Sequence, residues 1–292
     1  MSIARYYAWL SRFQDAARSV AHDTGQRTLT VHRHLRADDG TVSGDVLHAR
    51  VLDAVRATAG PFGVPLDVLD AGCGLGGTTF YLQARLGGRY TGITLSDTQC
   101  ARATAEAARR GLAAQCHFAV RDYDADLRDL LPAGVDLIVA IESLAHAPDP
   151  AATIGRLAAR LRPGGRLLLV DDVPRDTLAR DDRDFAGFRA GWMCPAVATD
   201  AVLAAAFTAA GLTICHDDDL TPRVRHRHPA AFAALLLAAR AGSAVLALTP
   251  ARVIMGALHG GLLLERLYAR GVVRYRLIVA RAGAGAHTPT GR

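Results

Sequence analysis

The chain contains no lysine, so all 34 basic side chains are arginine; set against 28 acidic ones, they leave a formal charge of +6. A basic balance points to nucleic acid only where it gathers into a patch interleaved with aromatics. Aromatics are scarce, at 6% of residues, so the charge reads as composition and no nucleic-acid partner is expected. Cysteine is sparse as well. Cys73, Cys100, Cys116, Cys194 and Cys215 form no CxxC pair and no metal-ligand spacing, which implies reduced thiols, no metal and a cytoplasmic setting. A long apolar run is missing too. Arg, Asp and His interrupt the stretch from Met1 to Leu35 throughout, so neither a signal peptide nor a membrane span is expected. No internal repeat is visible, and 292 residues suffice for one large core carrying a lid.

What is present is organised around glycine. Val68-Leu-Asp-Ala-Gly-Cys-Gly-Leu-Gly-Gly-Thr-Thr79 is an apolar run, an acid, then glycines too dense for a helix interior. It predicts a buried strand running into a tight turn that opens a helix, where backbone amides can face a ligand without Cβ atoms in the way. Strand and helix patterns then alternate. Strands are predicted over Asp67 to Ala71, Arg89 to Leu95, Cys116 to Val120, Val135 to Ala140 and Arg166 to Asp171, with helices over Gly76 to Leu86, Asp97 to Arg110 and Ala151 to Leu161. This spacing implies βαβ crossovers and a parallel sheet with helices on both faces.

The flanks read differently. Residues 1–59 look like a helical cap segment, with an apolar stripe from Tyr6 to Val20, a break at Ala37 to Thr41 and a helix over Asp45 to Ala57. The core spans 60–281, with cap insertions expected at about 173–198 and 229–270 and a disordered tail over 282–292. Between the insertions lie a helix over Thr199 to Ala210 and a strand over Leu212 to Leu220, and a last strand covers Val272 to Ala280.

The glycine spacing Gly72-x-Gly74-x-x-Gly77 satisfies a dinucleotide fingerprint, which alone is weak evidence. A dinucleotide site wants an acid for the ribose roughly 20 residues on. The second strand instead ends at Gly92-Ile-Thr-Leu-Ser96, and Asp97 lies just past it, which disfavours a dehydrogenase. Asp70 stands two residues before the first glycine, where a carboxylate can reach an amino group or a ribose. Asp122 and Tyr123 follow the third strand, at the edge where an acid can accept from an adenine amino group. Leu161-Arg-Pro-Gly-Gly165 makes a tight turn before the fifth strand.

In this order and spacing the chain resembles the class I S-adenosylmethionine-dependent methyltransferases over about Asp67 to Asp172. Gly92-Ile-Thr-Leu-Ser-Asp-Thr-Gln99 and Ile141-Glu-Ser-Leu-Ala-His146 are similar to the branch holding tocopherol, cyclopropane-fatty-acid, sterol and natural-product sugar methyltransferases. The resemblance implies an α/β, Rossmann-like sheet of seven strands, mostly parallel with the last strand reversed, and a helical cap over the substrate pocket. It implies S-adenosyl-L-methionine as cofactor. Asp70, Gly72, Cys73, Gly74 and Gly76 would hold it at the glycine turn, Thr94, Leu95, Ser96 and Gln99 after the second strand, and Asp122, Tyr123 and Ile141 beyond. At the N-terminus the branch's aromatic His-Tyr-Gly-like stretch is replaced by Thr30-Val-His-Arg-His-Leu35.

Methyl transfer from a sulfonium is an in-line displacement, so the protein mainly aligns the reactants and excludes water. His146 is the candidate base where the acceptor must lose a proton. Glu142 could bind the methionine ammonium, stabilise a developing cation, or serve only as a helix-capping group. Asp172 could orient a histidine or a substrate hydroxyl, with Asp171 beside it read as a solvated or capping carboxylate. Cys73 reads as small packing, and Trp192 with Met193 as pocket lining or packing. Arg223-Val-Arg-His-Arg-His228 could hold a phosphate-bearing substrate but also reads as a solvated turn. The acceptor expected is a small, largely apolar intermediate, methylated on oxygen or nitrogen. The alternatives are C-methylation of an alkene or prenyl diphosphate, and a cofactor-binding cyclase that transfers no methyl. A homodimer is compatible with the sequence.

Overall fold

In the computed structural model, the structure describes residues 29, 32–58, 65–179, 181–227, 229–245 and 252–283. The predicted stripe from Tyr6 to Val20 and the tail beyond residue 283 lie outside them. In chain order, β1 (Leu35–Arg36) and β2 (Val42–Ser43) pair as a short antiparallel hairpin ahead of α1 (Gly44–Thr58). The core follows as β3 (Asp67–Ala71), α2 (Gly77–Leu86), β4 (Arg89–Thr94), α3 (Asp97–Arg109), β5 (Cys116–Val120) and β6 (Val135–Ile141). A 3-10 turn at Leu144–His146, α4 (Pro150–Ala158) and β7 (Leu161–Pro174) complete the parallel part. Then come α5 (Asp176–Ala179), α6 (Arg183–Trp192), α7 (Asp200–Ala209), β8 (Leu212–Asp219), α8 (Pro229–Val245), α9 (Arg252–Ala269) and β9 (Val273–Ala282).

The seven-stranded sheet has the order β5-β4-β3-β6-β7-β9-β8, and β9 runs antiparallel to both of its neighbours. Continuous apolar runs, rather than alternating ones, make these central strands: Val135 to Ala140 of β6 are all buried, Asp136 included, because helices cover both faces. Two cores result. One gathers Val51, Phe80, Tyr90, Leu137 and Tyr275, the other Leu69, Ile138, Leu169 and Phe207. The register matters for function, because it brings the carboxyl ends of β3, β6 and β7 to one edge.

The structure corrects two expectations of the flanks. The segment from His32 to Ser43 is not helical: Asp39 accepts from the Thr41 amide at 2.9 Å and Gly40 sits at φ 86°, so the Asp-Asp-Gly sequence closes a hairpin rather than merely interrupting a helix. The other correction concerns β7, which runs on to Pro174 instead of ending at Asp171 because β9 pairs with it through Val173–Arg274 and Pro174–Val273. The cap helices α6 and α9 meet backbone to backbone. A Cβ on Gly191 would stand 2.4 Å from the Gly256 carbonyl oxygen, and Trp192 Nε1 donates to the Ala257 carbonyl at 2.9 Å.

Candidate functional site

The site is built outward from the glycine turn. The amides of Gly72 and Cys73 both donate to the Ile93 carbonyl, at 3.0 and 2.9 Å, which ties the turn to β4. Gly72 and Gly76 require glycine for conformation and for space. Their φ values are 91° and 81°; a Cβ would come 2.6 Å from Ser143 Cβ at the first and 2.9 Å from the Phe118 and Phe80 rings at the second. Gly74 also has positive φ, at 55°. The N-cap of α2 is Gly76, which has no capping side chain; the Thr79 amide bonds to Asp70, and the amides of Gly77 and Thr78 ahead of it are those a ligand would meet. Cys73 is buried, and burial raises its thiol well above the usual range, so it is an inert packing group.

Asp70 is buried beneath that helix start and accepts from Thr79 Oγ1 at 2.7 Å. Burial raises its pKa to about 6, against the opposing hydrogen bonds from Thr79. After β4, Thr94 Oγ1 donates to Gln99 Oε1 at 2.9 Å, and Ser96 Oγ accepts from the Gln99 amide at 3.3 Å as the cap of α3. All three residues are buried while Leu95 between them is half-buried. Asp122, past β5, is exposed and its Oδ1 accepts from the Asp124 amide at 2.9 Å. Tyr123 is half-buried and its hydroxyl donates to the Ser143 carbonyl at 2.9 Å, joining the exit of β5 to the turn after β6.

That turn concentrates the polar chemistry. Ile141 ends β6, and Glu142 follows in the left-handed region at φ 49°, a strained backbone for a residue with a Cβ. Its carboxylate accepts from the Tyr275 hydroxyl at 2.8 Å and the Arg33 amide at 3.1 Å. Asp172 accepts from Arg33 Nη1 at 3.3 Å and from the Tyr268 hydroxyl. The Arg33 guanidinium therefore lies between two carboxylates and over three rings, with its carbon 4.9 Å from the Tyr275 centroid, 5.0 Å from Tyr268 and 5.9 Å from Trp192. Burial alone would lower the Arg33 pKa, but Asp172 and Glu142 outweigh it and the pKa is raised. For Asp172 burial wins over Arg33 and the pKa rises to about 6.

Of the two readings of Asp171, solvated or capping, the structure has the capping one. Asp171 is buried, accepts from the Ala145 amide at 3.1 Å and the Asp172 amide at 2.9 Å, and so caps the 3-10 turn. Burial, reinforced by the Asp172 charge, raises its pKa to about 8. Of the two neighbours, Asp172 faces Arg33 and the cap. His146 closes the turn with Nδ1 3.4 Å from the Met193 carbonyl oxygen and 4.0 Å from Cys194 Sγ, and burial lowers its pKa. Glu142 and Asp172 thus meet through Arg33, while His146 turns toward the end of α6.

Arg33, Tyr268, Tyr275 and Ser143 went unread in the sequence. Two of them carried a signal: Ser143 within the Ile141 to His146 stretch, and Arg33 where the chain departs from the family's N-terminal pattern. Beyond it opens a cavity of about 370 Å³, lined by Arg33, Trp192, Leu262, Glu265 and Tyr268 and, toward solvent, by Arg225 and Arg227. Arg223 faces away from this cavity, pairing with Asp38 at 2.8 Å. Among the described residues no helix is long and apolar enough to cross a membrane, and no metal-binding cluster occurs.

Residues 69–167 match the family model described as a methyltransferase domain. Residues 69–167 are a methyltransferase domain. A tocopherol O-methyltransferase of Arabidopsis thaliana is 37% identical over 116 residues, which are 39% of this chain and 32% of that protein; the match spans about a third of the relative's length. Among solved structures, the cyclase SpnF superposes with a TM-score of 0.69 at 22% identity, over 97% of this chain and 96% of that one. A geranyl diphosphate methyltransferase in complex with GPP and sinefungin does so with 0.67 at 20%, over 96% and 97%. At these identities the likeness is of fold. The matched residues contain the glycine turn and run from β3 into β7; β8, β9 and the cap segments around Trp192 and Arg33 lie outside them.

Proposed function

We propose that the protein transfers a methyl group from S-adenosylmethionine to an oxygen or nitrogen of a small, largely apolar biosynthetic intermediate, with His146 as the base. The observation that carries this reading is the placement and state of His146. It sits on the turn whose first residue, Ser143, packs against Gly72, and burial keeps its ring neutral near pH 7, ready to take a proton.

The glycine turn fits the cofactor, since Gly72, Gly74 and Gly76 expose backbone at positive φ with no Cβ and the N-cap residue of α2 is a glycine without a capping side chain. When bound, the cofactor supplies the methyl group and a neutral thioether as leaving group. In this reading Asp70 braces the first turn of α2 through Thr79, Asp122 offers its exposed carboxylate to the adenosine, and the Thr94, Ser96 and Gln99 knot shapes the wall beside it. Leu95, Tyr123 and Ile141 contribute surface. Glu142 and Asp172 act through Arg33, holding the N-terminal segment across the site so that water is excluded. The five free cysteines support a cytoplasmic setting.

The test is His146→Ala assayed with labelled cofactor. S-adenosylhomocysteine binding should persist while turnover falls by about 10²- to 10⁴-fold. Wild-type turnover in the variant removes His146 as the base, and acceptor conversion without S-adenosylhomocysteine release removes the transferase reading altogether.

A further inference from the structure

The cavity beneath the cap is polarised, and its polarity specifies more than an apolar ligand. Its inner wall is Trp192, Leu262 and Tyr268, the last two buried. Its mouth carries Arg225 and Arg227. The single bridge between Leu35 and Val224 brings this basic segment against the N-terminal strand, and so sets Arg225 beside the Arg33 and His34 stretch. The inner carboxylates do not make the chamber anionic, because Arg33 stands between them and the cavity with bonds to both Glu142 and Asp172. Displacing Arg33 would strand two carboxylates without their counter-charge, so it stays as a fixed cationic wall. At the mouth, Glu265 takes up Arg227, while Arg225 is exposed and has no ion-pair partner among the described residues. The lining therefore keeps an uncompensated positive charge at the rim of a chamber whose inner wall is Trp192, Leu262 and Tyr268 beside the paired Arg33. At about 370 Å³ the chamber lies within the range of small-molecule sites.

We infer that this cavity takes an amphiphilic methyl acceptor whose apolar body lies against Trp192 and Leu262 and whose anionic headgroup, carboxylate or phosphate, is held at the rim by Arg225. The inference rests on the methyltransferase reading only in naming the occupant as the acceptor. Arginine suits the task because its planar fork pairs with two oxygens of either headgroup. The stretch from Arg223 to Arg227 is thus divided: Arg223 serves the fold through Asp38 and the Arg36 carbonyl, Arg227 pairs with Glu265, and Arg225 serves the ligand.

The experiment is calorimetric titration of the full chain, saturated with S-adenosylhomocysteine, with decyl phosphate, decanoate, decanol and decylammonium. The expected order places one or both anions at least about fivefold tighter than decanol, with decylammonium weakest; which anion leads identifies the headgroup. Arg225→Gln should erase that advantage, whereas Arg223→Gln should leave it intact. Gly261→Leu, whose side chain would grow toward Trp192 about 3.5 Å away, should weaken every probe by filling the chamber. Equal affinity for decanol and both anions, tighter decylammonium, no probe binding at all, or an equal loss in Arg223→Gln and Arg225→Gln overturns the inference. Failure to bind S-adenosylhomocysteine is a separate outcome that sinks the methyltransferase reading instead.

Discussion

Asp171 provides the sharpest quantitative test of how the site is assembled. The folded protein holds its proton up to about pH 8 because burial and the neighbouring Asp172 both oppose ionisation, whereas an unfolded aspartate releases it near 3.8. Between those values the folded state binds one more proton than the unfolded state, so this group makes stability fall as pH rises. The slope is about 1.4 kcal/mol per pH unit, and from pH ~5.5 to pH ~7.5 the loss sums to about 2.5 kcal/mol. Asp171→Asn removes it. Asparagine has one acceptor oxygen for two amides, those of Ala145 and Asp172, so the variant also carries a pH-independent cost of about 1 to 3 kcal/mol. The reasoning is therefore read from the slope and not from the offset. Asp172 titrates in both proteins and cancels, because below pH ~8 it faces a neutral neighbour in each. Urea denaturation of both proteins across this range should show the variant gaining on the wild type by about 2.5 kcal/mol. Parallel pH profiles would refute a buried, protonated Asp171.

Further expectations follow from the same contacts. Arg33→Met leaves Glu142 and Asp172 facing each other's charge and should destabilise by about 3 to 5 kcal/mol in denaturant; adding Asp172→Asn should recover part of this, and strictly additive losses would mean the pair is uncoupled. Gly72→Ala forces a Cβ against Ser143 at positive φ, a strain of about 1 to 3 kcal/mol, and should weaken S-adenosylhomocysteine binding by about five- to a hundredfold in calorimetry. Because burial lowers the His146 pKa, its ring stays neutral to more acidic pH than usual, and the acid limb of kcat/KM should fall below 6.5; a limb above that value would assign the base elsewhere.

The sequence determined those features that arise between near neighbours. Positive φ at Gly72, Gly74 and Gly76 follows from glycine's lack of a Cβ, and the alternation of strand and helix from 67 to 174 follows from periodicity in apolar residues. The class of cofactor came from the resemblance that the glycine turn, Gly92 to Gln99 and Ile141 to His146 carry together. The hairpin at Ala37 to Thr41 was less legible, because an Asp-Asp-Gly break serves a turn between helices as well as one between strands.

Tertiary structure alone decided the rest. Arg33 meets Glu142 across 109 residues and Asp172 across 139, and Tyr275 reaches Glu142 across 133. Such pairings depend on which strands lie side by side, and β9, which follows α9 in the chain, lies in the sheet between β7 and β8. Period two told that Asp171 and Asp172 face opposite sides of their strand, but not which side held Arg33. A carboxylate's role depends on its neighbours' charges and on its distance from water, and both are properties of the folded chain.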